Sequence, residues 1–169
     1  ILTFDPTTAM RDALPPSVVT HFPAITKPEP LGDFLKALET SKAEPQVRAA
    51  LRIAPMLAVR PGELRRMEWN EINFDADGGP VWEIPAAKMK RRRDHIVPLS
   101  PQAEAIIREL EPLTRRSRYV FHGLRDHTRP ISDGTVNKAI RAVGYSTSVV
   151  TAHGFRATFR TLASEILGE

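Results

Sequence analysis

The sequence contains no cysteine, which excludes disulfide scaffolds, thiol catalysis, cysteine-ligated zinc and iron–sulfur clusters. Its apolar runs are only a few residues long, so no segment is suited to span a membrane, and no signal peptide is visible. Hydrophobic residues make up 41% and charged residues 26% of the 169 positions, which is typical of a globular protein and not of a disordered tail or a coiled coil. Since the chain begins at Ile1 and not at Met, we interpret it as a piece of a longer protein.

Basic residues are concentrated in two parts of the sequence. The overall excess is small, with 24 Lys and Arg against 20 acidic residues, and it indicates a nucleic-acid partner only weakly. The segment 88–93, however, holds five basic residues in six positions, and a second group comprises Arg115, Arg116, Arg118, Arg125 and Arg129. Such clustering favours contact with a polyanion.

Proline divides the chain into two regions. Residues 1–30 contain six prolines, which remove backbone donors and oppose helix formation, so we expect a linker or extended arm that packs loosely. Residues 31–169 carry regular apolar patterns and are expected to form one compact domain.

The apolar spacing in the second region predicts mostly helices. Two short strands, 81–85 and 95–99, should form an antiparallel hairpin with the basic run at its end, and 119–121 is either a third strand or a buried turn. The fold class is therefore mainly α with a small antiparallel β-sheet (α+β). The helices are expected at 31–41, at 46–59, from Pro61 with Arg60 as N-cap, from Ser100-Pro101, from Ser132 to the stop at Gly144, and from 151–153 onward with Phe155, Phe159, Leu162, Ala163 and Ile166 as its apolar face.

Two of these helix starts carry arginines suited to an oxyanion. His153, Arg156 and Arg160 share one face of the last helix, near the positive end of its dipole. Arg60 precedes another helix start, where Glu63 in the first turn could hold a neighbouring basic side chain. Each feature alone is more often an ordinary solvated helix end. The two tryptophans are most simply interpreted as core residues, and the glutamates at 63, 68 and 71 as surface charge.

The hairpin offers two lysines, Lys88 and Lys90, and three arginines, Arg91–Arg93. A lysine at a hairpin tip is mobile and could lend a proton to a leaving oxygen, whereas the arginines suit phosphate contact.

Three segments in this order resemble the catalytic domain of the tyrosine recombinase (phage integrase) family, and in particular the prophage and genomic-island integrases. They are Leu57–Trp69 with Val-Arg-Pro-Gly-Glu-Leu, Ile84–Leu99 with Lys-Met-Lys-Arg-Arg-Arg, and Thr151–Arg156 with His-Gly-Phe-Arg. The resemblance covers about residues 30–169, so residues 31–169 would be the catalytic domain and the proline-rich start would be the interdomain linker.

The resemblance implies a role for each matched residue. Arg60 and Arg156 correspond to the two catalytic arginines, His153 to the histidine of the His-x-x-Arg motif, and Lys90, eight residues before Pro98, to the hairpin lysine, with Lys88 as the lesser candidate. Expected DNA-binding residues are Lys88, Arg91, Arg92, Arg93 and Arg160, and Glu63 would support Arg60.

The family cleaves and rejoins DNA through a 3′-phosphotyrosyl intermediate without metal or other cofactor. It implies double-stranded attachment-site DNA as partner, self-association on DNA as a tetramer, and a location in the bacterial cytoplasm. Its nucleophilic tyrosine lies about three dozen residues after the His-x-x-Arg motif, whereas this chain ends thirteen residues after Arg156. The two tyrosines present, Tyr119 and Tyr145, are expected to be packing residues, so we expect this chain to bind DNA and not to cleave it.

Two other functions remain open from the sequence. A metal-dependent nuclease would need converging carboxylates, whereas the matched motifs supply arginines. A non-catalytic DNA-binding module would need none of the catalytic set, which this chain retains.

Overall fold

The computed structural model describes residues 21–168, a mainly helical fold with one three-stranded antiparallel sheet. This confirms the fold class expected from the sequence. None of the helices in that range is long and apolar enough to cross a membrane. The elements are α1 Pro28–Glu39, α2 Pro45–Leu57, α3 Pro61–Leu64, β1 Ile72–Asn73, β2 Val81–Ile84, β3 His95–Pro98, α4 Pro101–Thr114, α5 Thr135–Ala142 and α6 Gly154–Leu167, with 3₁₀ turns at Trp69–Glu71 and Ala86–Lys88.

Proline sets several of the helix starts. Pro28, Pro45, Pro61 and Pro101 each occupy the first position of a helix, where a missing N–H costs no intrahelical hydrogen bond. The predicted N-cap at Arg60 is confirmed, and Ser100 caps α4 by accepting a hydrogen bond from the Ala103 amide at 3.3 Å.

Helix α2 forms the centre of the core and contacts α1, α4, α5 and α6. It buries a wide face, including Ala50, Leu51 and Ile53, whereas Arg48 and Met56 on the opposite side are exposed. Because this apolar face is wide, several other helices are needed to cover it.

The sheet carries the basic segment. Strand β2 pairs with β1 and β3, and Ile84 lies opposite His95 at the last pair of the β2–β3 hairpin. Residues 85–94 therefore form its connection and include the whole basic run, as the sequence predicted.

The structure corrects the predicted start of the helix after Ser132 and decides between the two alternatives for residues 119–121. The helix expected from Ser132 begins instead at Thr135, with Gly134 as N-cap, because the Ser132 hydroxyl is hydrogen-bonded to the Thr135 hydroxyl at 2.8 Å and not to a backbone amide. Residues 119–121 are a buried turn, and only a single bridge joins Glu68 to Tyr119.

The apolar face predicted for α6 is buried only at its beginning. Phe155 is fully buried against Phe34, whereas Phe159 is 48% and Ile166 is 83% exposed. The helix contacts α2 and fully buries only Gly154, Phe155 and Thr158; residues 161–164 are half-buried and residues 165–168 are exposed, so the rest of residues 21–168 covers the later turns only in part.

The described end of the proline-rich segment is packed against the domain. Ile25 is a core residue, and the Pro23 carbonyl accepts a hydrogen bond from the Thr151 amide at 3.1 Å. The expected loose packing is therefore wrong for Pro23 and Ile25, and α1 begins three residues before the predicted boundary. Residues 1–20 lie outside the described residues, and the division into linker and catalytic domain stays a prediction.

Candidate active site

An open cleft of about 700 Å³ lies where the starts of α3, α5 and α6 approach the β2–β3 connection. It brings together three of the four sequence-predicted catalytic residues, which come from three separate segments of the chain. The lining residues are Arg60, Pro61, Gly62, Glu63, Arg66, Lys88, Met89, Lys90, Asp133, Gly134, Asn137 and His153. Arg156 and Arg160 are exposed on α6 and are not among these lining residues.

Arg60 is held at the cleft by Glu63. One carboxylate oxygen of Glu63 accepts a hydrogen bond from the Arg60 guanidinium at 2.6 Å, and the other accepts one from the Arg60 backbone amide at 2.9 Å. The Glu63 side chain is only 6% exposed, whereas that of Arg60 is 39% exposed. Because the buried carboxylate engages a single guanidinium nitrogen, the remaining N–H groups of Arg60 are left to bind an anion.

Arg156 is tied to the same stretch of chain. Its guanidinium donates a 2.6 Å hydrogen bond to the carbonyl oxygen of Ala58, two residues before Arg60. Ala58 ends α2 in the left-handed conformation, with a φ of 51°, which only a minority of non-glycine residues adopt. The turn after α2 therefore supports both arginines: the Ala58 carbonyl binds the Arg156 guanidinium, and Arg60 itself belongs to this turn.

Neighbouring residues fix the backbone around His153. The side-chain oxygen of Asn137 on α5 accepts a hydrogen bond from the Ala152 amide at 2.8 Å. The Thr151 hydroxyl accepts one from the Gly154 amide at 3.1 Å. Asn137 also lines the cleft, and its role was missed from the sequence because a lone asparagine within a helix carries no distinguishing pattern.

Lys88 is not a mobile residue at a hairpin tip. Its ammonium group contacts Glu71, lies 2.5 Å from Glu68, and donates a 3.1 Å hydrogen bond to the Arg66 carbonyl. Its side chain is 23% exposed, and the two carboxylates are buried. The interpretation of Glu68 and Glu71 as surface charge was wrong, because both are buried, and both accept hydrogen bonds and form ion pairs inside the fold.

The two carboxylates also bind other groups. Glu71 accepts a hydrogen bond from the indole nitrogen of Trp82 at 3.1 Å, and Glu68 lies 2.7 Å from the Arg118 guanidinium. Burial raises the pKa of Glu68, but the hydrogen bonds from Arg118 and Lys88 outweigh it, so the pKa lies below its ordinary value of 4.5. This buried cluster fixes the 3₁₀ turn that ends at Lys88.

Lys90 and Arg91–Arg93 differ from Lys88 in having exposed side chains. Within residues 21–168, none of the four forms an ion pair or a side-chain hydrogen bond. Arg92 adopts a left-handed conformation with a φ of 49°, which marks the sharp turn of this segment. In the second basic group, Arg115, Arg118 and Arg129 are each paired with a carboxylate, whereas Arg116 and Arg125 are exposed and form no ion pair within residues 21–168.

Neither tyrosine lines the cleft. Tyr145 packs edge-on against Phe34 with ring centroids 4.9 Å apart, and Tyr119 is half-buried in the turn that bridges to Glu68. The expectation that Tyr145 is a packing residue is confirmed by this contact. Over residues 21–168 there is also no group of three or more His, Asp or Glu side chains arranged to hold a metal ion.

The sequence profile of the Phage integrase family matches residues 25–165. The chain belongs to this family, the tyrosine recombinases. It is 34% identical to the integrase of Enterobacteria phage P4 over 178 residues, covering 98% of this chain and 39% of that protein. It is 37% identical to the Escherichia coli prophage integrase IntZ over 132 residues, covering 78% of this chain and 31% of that protein. The chain thus spans less than half the length of the integrases it matches.

Solved recombinase structures share the fold. The XerA recombinase superposes with a TM-score of 0.67 at 17% identity, covering 91% of this chain and 54% of that one. A lambda integrase tetramer bound to a Holliday junction superposes with a TM-score of 0.63 at 20% identity, covering 91% of this chain and 46% of that one.

Proposed function

We propose that this chain is the DNA-binding catalytic domain of a site-specific tyrosine recombinase that acts on double-stranded attachment sites. The observation that carries the proposal is the common cleft of Arg60, Lys90 and His153, with Arg156 tied to the Ala58 carbonyl beside it. A cleft that holds cationic groups from distant segments, with one buried carboxylate orienting an arginine, suits a phosphodiester.

The proposed chemistry follows from these groups. Arg60 and Arg156 stabilise the charge that gathers on the non-bridging phosphate oxygens during in-line attack, and Glu63 orients Arg60. Lys90 protonates the departing 5′-oxygen, and His153 orients the phosphate or moves a proton. The phosphotyrosyl bond formed in the attack preserves the energy needed for rejoining the strands.

Lys90 is favoured over Lys88 as the proton donor. The ammonium group of Lys88 is already occupied by Glu68, Glu71 and the Arg66 carbonyl, whereas Lys90 forms no such bond to residues 21–168. Lys88 then acts as an anchor for the hairpin connection, two residues before the acid.

Because neither Tyr119 nor Tyr145 lines the cleft, we propose that residues 1–169 alone bind DNA without cleaving it. The lambda integrase tetramer on a Holliday junction supports self-association of the whole protein on DNA. A recombinase of this kind would act on bacterial DNA in the cytoplasm.

Duplex binding is tested by fluorescence anisotropy over a series of salt concentrations. Replacement of Arg91, Arg92 and Arg93 by Ala should weaken binding and reduce the slope of log K against log salt by up to about 2.7, or about 0.9 for each lost phosphate contact. The charge-matched control replaces Lys36, Lys42 and Arg48, which are exposed on the α1–α2 side, and should leave the slope nearly unchanged. Equal slopes in the two triple variants would refute the hairpin as a DNA contact.

The catalytic part is tested in a form of the protein that includes the nucleophilic tyrosine. Arg156→Ala should abolish the covalent protein–DNA adduct while retaining most of the DNA affinity, since the lost interaction belongs to the transition state. Adduct formation that survives this change, or that stops when EDTA is added, would contradict the proposed mechanism.

A further inference from the structure

The segment Phe22–Ile25 crosses the start of α6 and contacts the proposed active site. The aromatic ring of Phe22 stacks on the imidazole of His153, with centroids 4.5 Å apart and planes inclined by 20°. Both rings lie within the usual geometry of an aromatic pair. Phe22 is 60% exposed, so this stack, and not burial in the core, accounts for its position.

The residue after Phe22 is fixed by two features of the loop before α6. The Pro23 carbonyl accepts the hydrogen bond from the Thr151 amide and faces Gly154 so closely that a Cβ at position 154 would lie 2.0 Å from its oxygen. Only glycine allows this approach without displacing the segment. Ile25, two residues further on, is buried in the core.

The backbone of His153 is equally constrained from its other side. Asn137 holds the Ala152 amide, and Thr151 holds the Gly154 amide. The remaining freedom of His153 is the rotation of its exposed side chain, and Phe22 covers one face of that ring.

From this geometry we infer that Phe22 is a positioning residue, which holds the His153 imidazole in the orientation that meets the scissile phosphate. The inference rests on the proposed phosphate-binding role of the cleft. It assigns a part in the active site to the segment that precedes the first helix, since displacement of Phe22–Pro23 would release the histidine. If the His153 side chain were free and had to be immobilised when phosphate binds, the affinity for phosphate would fall by about two- to tenfold. Because the stack already holds the ring before phosphate binds, this loss is avoided.

The test is a proton NMR titration of this chain with inorganic phosphate, followed on the imidazole resonances of His153. Phe22→Leu removes the ring, so these resonances should move downfield and the midpoint phosphate concentration should rise about two- to tenfold. Phe22→Tyr keeps an aromatic ring, so its His153 resonances and its midpoint phosphate concentration should match those of the unaltered chain. The control, Phe159→Leu, removes another exposed phenylalanine, from helix α6 that begins directly after His153, and should change neither value.

Each alternative result has a distinct meaning. Unchanged His153 resonances in Phe22→Leu would show that the stack does not exist, and a shifted resonance with an unchanged midpoint would show that the stack does not position the ring. Either result overturns the inference and leaves the proposed function intact. A His153 resonance that does not respond to phosphate in the unaltered chain would refute the phosphate-binding cleft itself.

Discussion

Replacing Lys88 by Met should destabilise the protein far more than replacing Lys90, although the two lysines are only two residues apart. Lys88→Met removes the ammonium group that lies between Glu68 and Glu71 and leaves the aliphatic volume nearly unchanged. The carboxylates of both glutamates are about 5% exposed, so water cannot replace the lost cation.

The expected magnitude follows from the burial of these groups. Removing one partner of a buried ion pair costs about 3–5 kcal/mol. The Lys88 side chain is 23% exposed and Arg118 still neutralises Glu68, so we expect a loss in the free energy of unfolding near the lower end, about 3 kcal/mol. For a domain of this size, that loss lowers the melting temperature by roughly 6–12 °C.

Thermal unfolding followed by circular dichroism measures the difference, with Lys90→Met as the matched control. Lys90 is exposed and forms no ion pair with residues 21–168, so its replacement should change stability by no more than about 0.5 kcal/mol. Equal melting temperatures for the two variants would show that Lys88 is not an anchor, and would reopen its assignment as the hairpin acid.

Three further outcomes are expected. Glu68→Gln should lower the free energy of unfolding in denaturant titrations, and its difference from the unaltered chain should shrink as the pH falls below about 4.5. The pKa of Glu68 is lowered in the folded state, so this carboxylate stabilises the fold only while it is charged. A difference independent of pH would contradict this. In a form that includes the tyrosine, Lys90→Ala should slow cleavage, and a substrate with a 5′-bridging sulfur should rescue the rate, since a thiolate leaves without a proton; failure of rescue would remove Lys90 as the acid. Phe155→Ala should cost about 3–5 kcal/mol in the free energy of unfolding, whereas Phe159→Ala should cost little; similar losses would mean that α6 is covered along its length.

The features predicted from sequence were those set by local patterns. The start of α3 followed from an arginine before Pro61, and the hairpin followed from two short β-rich runs around a basic segment. Three of the four proposed catalytic residues lie in one cleft, because each motif lies at a helix start or at the hairpin connection, and these ends of the elements meet in this fold.

The features missed depend on which elements meet in space. Glu68 and Glu71 look like ordinary acidic residues near a helix, and each is buried with an ion pair to Lys88, which lies twenty and seventeen residues later. The apolar spacing of α6 predicted a buried stripe, but periodicity states which residues share a face and not whether another element covers it. The contact of Phe22 with His153 joins residues 131 positions apart, so no local pattern could have indicated it.

The two basic groups differ in how many of their cations the fold pairs with carboxylates. Sequence clustering marked both, yet Arg115, Arg118 and Arg129 each face a carboxylate, as Lys88 does, which leaves only Arg116 and Arg125 of the second group unpaired within residues 21–168. The exposed run from Lys90 to Arg93 has no such partner within residues 21–168, and it lies next to a cleft that contains an oriented arginine. Because paired cations gain little from a phosphate and unpaired ones gain much, the DNA contact should lie on the hairpin side of the cleft. Lys88 is a paired cation that positions the unpaired ones, because its ion pairs with Glu68 and Glu71 fix the 3₁₀ turn that precedes Lys90–Arg93.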